Sequence, residues 1–129
     1  LVATHLNVHS ITQHSRNLND KQLRAIADSD GMVGLNFAAA FLREDGKMLA
    51  DVPLSQVLRH LDYLLEILGE DRVGLGSDYD GAIMPEELND LSNLPNLILA
   101  MKSHGYDEIL IKKLCRENWL RVLQKTWGC

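Results

Sequence analysis

Three short apolar segments, each running into a polar turn and then a helix, constrain this chain most. They are LVATH at 1–5, MVGLNF at 32–37 and RVGLGSD at 72–78. Apolar strands alternating with amphipathic helices signal βαβ units and a parallel sheet covered on both faces. The segments end at His5, Phe37 and Asp78, spaced 32 and 41 residues apart. Such spacing suits a (β/α) barrel or a doubly wound sheet. Three units are few for an open sheet and far short of a closed barrel, which takes about 250 residues. The chain opens on a strand without an initiator Met, so 1–129 reads as the C-terminal part of a larger α/β domain whose N-terminal strands are absent.

The helices carry their own punctuation. Asn19 is a suitable N-cap with Gln22 three residues on, and Leu18 and Leu23 flank the cap as a hydrophobic staple. Gly31 is expected to end that helix. The segment 38–53 reads as a long loop with a turn at Asp45-Gly46. A strong helix follows from Pro53 to Leu68, with Val57, Leu58, Leu61, Leu64, Leu65 and Leu68 at helical spacing and Gly69 as its stop. The remainder is helical: Pro95 to His104, then Asp107 as the cap of a helix through Leu114, then ENWLRVLQKTW. The glycines of RVGLGSD suit close packing or the approach of a ligand.

Composition narrows the function classes. A net charge of -5 with no basic patch gives no electrostatic reason to bind nucleic acid. No apolar run approaches the roughly 20 residues that span a bilayer, and the first residues lack the pattern of a signal peptide. Two cysteines, Cys115 and Cys129, are too few for a disulfide framework and lean toward a reducing, cytoplasmic compartment. GLGSDYDG is glycine-rich, yet it is neither G-x-G-x-x-G nor a P-loop, which excludes a nucleotide reading.

In parallel α/β folds chemistry sits at the carboxyl ends of strands. Two segments here end in His5 and Asp78, and the third ends in Asn36-Phe37. A His and an Asp on one rim are metal-ligand or acid/base types. His9 and His14 fall in a polar loop as ordinary loop histidines. His60 sits on the strong helix and His104 at a helix C-terminus, where the dipole favours a cation. Arg16 alone reads as a surface arginine, and Asp80 as a turn residue bonding near Gly81.

Together, THLN with the following Arg16-Asn17, GLNFAAAFL (34–42), LRHLDYLLEILGEDRVGLGSDYDG (58–81), LNDLSNLPNLILAM (88–101) and ENWLRVL (117–123) resemble the C-terminal part of the membrane dipeptidase (renal dipeptidase-like) family. These are zinc peptidases of the amidohydrolase-type TIM (β/α)8 barrel. The resemblance implies strands six to eight of that barrel, a Zn²⁺-dependent hydrolysis of dipeptides with two ions in the complete enzyme, and a role for particular residues. His5 matches a metal ligand at the end of the sixth strand. Arg16 matches the arginine that binds the substrate's terminal carboxylate. Phe41 falls at an apolar wall of the substrate pocket. Asp78 matches the proton carrier at the end of the eighth strand.

There are departures. The family usually has Ser-His-Ser where this chain has Thr4-His5-Leu6, so a polar neighbour of the ligand is lost. The other ligands of the family, a His-x-Asp pair, a bridging Glu and a further His, lie upstream of this sequence, so the 129 residues alone are expected to be inactive. A catalytically inactive barrel homologue serving as a scaffold or binding module is the alternative. A phosphotriesterase-like enzyme shares the strand-end His and Asp but leaves Arg16-Asn17 and GSDYDG without a role. A homodimer stays open as the assembly. Three barrel units alone would expose strand edges and aggregate or pair with the missing part.

Overall fold

A computed structural model of the chain describes residues 1–128. Its centre is a three-stranded parallel sheet in sequential order: β1 (Val2–Ala3), β2 (Met32–Asn36) and β3 (Val73–Ser77). This is the α/β arrangement that the alternation of segments implies. Every residue of β2 is buried, as a strand covered on both faces requires. The first strand is shorter than LVATH suggests. The chain leaves the ladder after Ala3, bends through Thr4 and His5, and rejoins it where the Leu6 amide donates to Gly34 O at 3.0 Å. His5 therefore sits in a bend rather than within a strand.

One face of the sheet carries Val33, Leu35 and Val73 into the main core. There they join Leu23 and Ile26 of α1 (Asp20–Asp28) and Val57, Leu61, Leu64 and Leu68 of a long helix. Burying each such side chain contributes roughly 1.5–3 kcal/mol. The other face is stripped to glycine for Trp119. A Cβ at Gly74 would lie 2.7 Å from the Trp119 indole nitrogen, and one at Gly34 would lie 2.8 Å from its ring. That nitrogen donates to Leu75 O at 3.0 Å. The strand glycines thus serve packing, one of the two roles read from the sequence.

The capping box of α1 is formed as expected: Gln22 N donates to Asn19 Oδ1 at 3.0 Å, and Asn19 N to Gln22 Oε1 at 2.9 Å. Its end differs. Ser29 is the C-cap and Asp30 takes the left-handed conformation (φ 51°), while Gly31 already belongs to the approach to β2. A Cβ at Gly31 would strike Leu1 O, so glycine is required there by the neighbouring strand. The expected loop after β2 holds a short helix, α2 (Ala39–Leu42), all four residues of which are buried. No periodic signal is available in four apolar residues.

The strong helix is α3 (Leu54–Leu68), with Pro53 at its N-cap and Gly69 (φ 78°) at its C-cap. Two single 3₁₀ turns, Glu86–Leu88 and Leu91–Asn93, lead into α4 (Leu94–His104). Then α5 (Glu108–Lys112), a π-helical turn (Lys113–Glu117) and α6 (Asn118–Trp127) form one helical run. Asn118, buried at that junction, donates to Glu70 O and Val73 O at 2.6 and 2.7 Å and ties the run to β3. None of the helices is long and apolar enough to cross a membrane, among the described residues.

Candidate active site

Asp78 follows β3 directly, on backbone that few side chains tolerate. Ser77, Asp78 and Asp80 all have positive φ (44°, 77° and 68°). Left-handed backbone at residues other than glycine costs of order 1–3 kcal/mol each and gathers at functional sites. The turn closes by Gly81 N–H donating to Asp78 O at 3.2 Å, and a Cβ at Gly81 would lie 2.8 Å from Asp78 Oδ1. Asp78 rather than Asp80 thus carries the turn, and Asp80 is exposed. This segment needs glycine at 81 because the carboxylate lies against it.

The other oxygen, Oδ2, accepts a hydrogen bond of 3.0 Å from the side-chain amide of Asn36. The same amide donates to the His5 carbonyl at 3.1 Å. The ends of all three strands are therefore joined through one buried side chain. Asn36 is fully buried, and each of its polar groups is engaged.

The half-buried His5 ring has Nδ1 2.7 Å from Thr4 Oγ1. In the tautomer that donates to that hydroxyl, Nε2 keeps a free lone pair, the form in which imidazole binds a metal. Thr4 thus gives the ring polar support that Leu6 cannot. The donor set fits one position of a zinc site. Among the described residues no group of three His, Cys, Asp or Glu side chains converges to hold an ion.

Arg16 lies in the loop between β1 and α1. Its guanidinium carbon sits 5.3 Å from the centre of the Phe41 ring, a cation–π arrangement. His14 packs edge-on against the same ring at 4.7 Å, and its Nδ1 accepts the Arg16 backbone N–H at 3.2 Å. His14 is thus more than a loop spacer: it shapes the seat of the arginine. Arg16 joins none of the ion pairs among the described residues, so its fork is free for an external carboxylate. Phe41 also packs with Ala38, Ala40 and Ala82, which brings the arginine's seat against the loop that carries Asp78.

Beneath the loop lies a buried polar layer that the sequence did not announce. Asn7 and Asn17 both donate to Phe41 O, at 3.4 and 3.0 Å. Thr12 donates to Leu42 O at 2.9 Å. His60, fully buried on α3, accepts the Val8 N–H on Nδ1 at 3.3 Å and reaches Leu42 O from Nε2 at 3.2 Å. Burial pushes its pKa down from 6.5 to about 4, so it is neutral. Asn and Thr in a polar loop, or a His on an amphipathic helix, look alike in sequence whether buried or exposed. Only the α2 carbonyls, absent from the expected loop, reveal their purpose.

His9, on the same loop, donates its backbone N–H to Leu18 O at 2.9 Å, its one hydrogen bond among the described residues. His104 pairs with Asp62 of α3 at 2.7 Å, and Cys115 is half-buried with its thiol pKa raised by burial.

The sequence model of the membrane dipeptidases, peptidase family M19, matches residues 1–127. The chain belongs to the membrane dipeptidase family. It is 54% identical over 127 residues to a Klebsiella pneumoniae protein described as uncharacterized and lying in the pqqA 5′ region, covering 98% of this chain and 47% of that protein. Among solved structures, dipeptidase AC, a metallo peptidase of family M19, superposes with a TM-score of 0.98 at 56% identity, over 100% of this chain and 38% of its own. A Rhodobacter sphaeroides metallo peptidase, liganded with a phosphinate mimic of the dipeptide L-Ala-D-Ala, gives 0.97 at 57% identity, over 98% and 36%. The chain spans less than half the length of each of these relatives.

Proposed function

We propose that this chain forms strands six to eight, with their helices, of a TIM-barrel metallo-dipeptidase that hydrolyses dipeptides, the remaining metal ligands coming from a part of the protein upstream of it. The observation that carries the reading is the Asn36 amide, which joins the His5 strand end to the Asp78 carboxylate, with Arg16 beside the same loops and in no ion pair among the described residues. Family membership supports the reaction class, and the ligand of the Rhodobacter sphaeroides relative supports a dipeptide such as L-Ala-D-Ala as substrate.

In this reading His5 Nε2 is one ligand of a two-zinc site. When bound, the zinc ions supply Lewis acidity to the scissile carbonyl and acidify the attacking water. Arg16 receives the substrate's terminal carboxylate on its two-pronged guanidinium, with Phe41 as an apolar wall. Fixing that charge selects short peptides, because a longer chain places no carboxylate there. Asp78 takes a proton from the attacking water and hands it to the nitrogen of the leaving amine as the peptide bond breaks.

The test is Asp78→Asn in the complete enzyme. Turnover of L-Ala-D-Ala should fall about 10²–10⁴-fold, the range of general acid–base catalysis, while zinc content by elemental analysis stays unchanged. Activity within a few-fold of the parent would sink the assignment. His5→Ala should instead lower the zinc content, which His9→Ala and His14→Ala should leave intact.

A further inference from the structure

We propose that Asn36 is a positioning residue for Asp78, holding its carboxylate in one orientation relative to the His5 strand end. The inference rests on the reading of Asp78 as the proton carrier. Asn36 Oδ1 accepts the Ala38 N–H at 2.7 Å. That contact fixes which way the amide faces: turned over, it would set an oxygen against the His5 carbonyl and the Asp78 carboxylate, and a donor against the Ala38 N–H. Both amide hydrogens are then committed, one to His5 O and one to Asp78 Oδ2.

The Asn36 main chain is held as firmly. Its N–H donates to Asn7 Oδ1 at 2.9 Å, and its carbonyl accepts from Asn7 Nδ2 at 2.9 Å. The Asn7 side chain thus pairs with Asn36 as a strand residue would, and it is itself fully buried. A carboxylate seated on left-handed backbone has freedom about its side-chain bonds, and Gly81 restricts only its Oδ1 side. Asn36 restricts the other side. It does so with a neutral amide rather than a charged group.

The experiment compares Asn36→Asp and Asn36→Ala in the zinc-loaded complete enzyme, alone and combined with Asp78→Asn. Asn36→Asp keeps the shape and the acceptor for Ala38 N–H but loses both donors. Asn36→Ala loses the donors without adding charge. For at least one of the two, kcat should drop tenfold or more, with KM for L-Ala-D-Ala within twofold and zinc content retained. In the Asp78→Asn background the same substitution should cost nothing further, since a residue that acts through Asp78 has nothing left to position. Unchanged kcat in both variants, losses that multiply with Asp78→Asn, or loss of zinc in both would overturn the proposal. If Asp78→Asn alone leaves turnover intact, it is the proton-carrier reading that fails.

Discussion

Two carboxylates at opposite ends of the same sheet are treated in opposite ways. Asp30, just before β2, is surrounded by cations: Arg72 at 3.0 Å, Arg121 at 3.2 Å and the Lys125 ammonium. Arg121 also donates to Gly31 O and Asp71 O, at 3.1 and 3.0 Å, binding α6 to the amino ends of the strands. Asp78, at the carboxyl end of β3, joins no ion pair among the described residues and is held by a neutral amide. The first charge is satisfied and ties elements together. The second is aimed and left available. In (β/α) barrels the amino ends serve stability and the carboxyl ends chemistry, and under the proposed function Asp30 and Asp78 divide in that way.

If that contrast is right, the rim should fail in function and its support in stability. The largest effect belongs to His60, which sits under the rim. Its ring titrates at 6.5 when exposed and at about 4 when folded. Between those values only the unfolded chain takes up the proton, so acid favours unfolding. The stabilising contribution is complete above pH 6.5 and lost as pH falls toward 4, on the order of 3 kcal/mol in all. Urea unfolding at pH 7 and pH 4.5 should reveal the loss, and His60→Gln should flatten the slope between them. An equally steep slope in the variant would remove His60 as its source.

Gly81→Ala comes next. The added Cβ would meet Asp78 Oδ1 at 2.8 Å and displace the carboxylate. A misplacement of about 1 Å can cost roughly 10²-fold, so kcat should fall by about that factor while the melting temperature moves little. Steady-state kinetics beside a thermal melt decide it. Arg16→Lys should raise KM for a dipeptide about tenfold, the worth of a charge-assisted hydrogen bond, and should change KM for an amide-capped analogue far less. An unchanged dipeptide KM would separate Arg16 from carboxylate binding.

The smallest effect is expected at the opposite end of the sheet. Asp30→Asn keeps the left-handed backbone, which Asn tolerates, and removes only the charge. Partly exposed pairs contribute little each, so stability should drop by about 1 kcal/mol, with kcat unchanged. A substantial loss of kcat there would break the division between the two ends.

Much of this frame is legible without coordinates. The capping box at Asn19 and Gln22 and the apolar stripe of α3 are local patterns that propensity and periodicity fix within a few residues. The placement of His5 and Asp78 beside strand ends follows from the same alternation, within the shift that puts His5 in a bend. The short helix α2 was not legible, because AAFL has no period to read and forms only where the core covers it. The last helical residue of α1 is Asp28 and its C-cap Ser29, while the Gly31 N–H still closes the helix end on Ile26 O at 2.9 Å and the absent side chain makes room for Leu1 O.

The sequence by itself determined the parallel α/β class, the N-cap of α1, the apolar stripe of α3 and the residue types at the strand ends. These depend on neighbours along the chain. Tertiary structure alone decided which polar groups meet. Asn36 and Asp78 are 42 residues apart, and Val8 and His60 are 52 apart. No local pattern encodes such pairs. They form because a buried amide or imidazole must find a partner once packing excludes water, and only the folded chain says which partner is within reach.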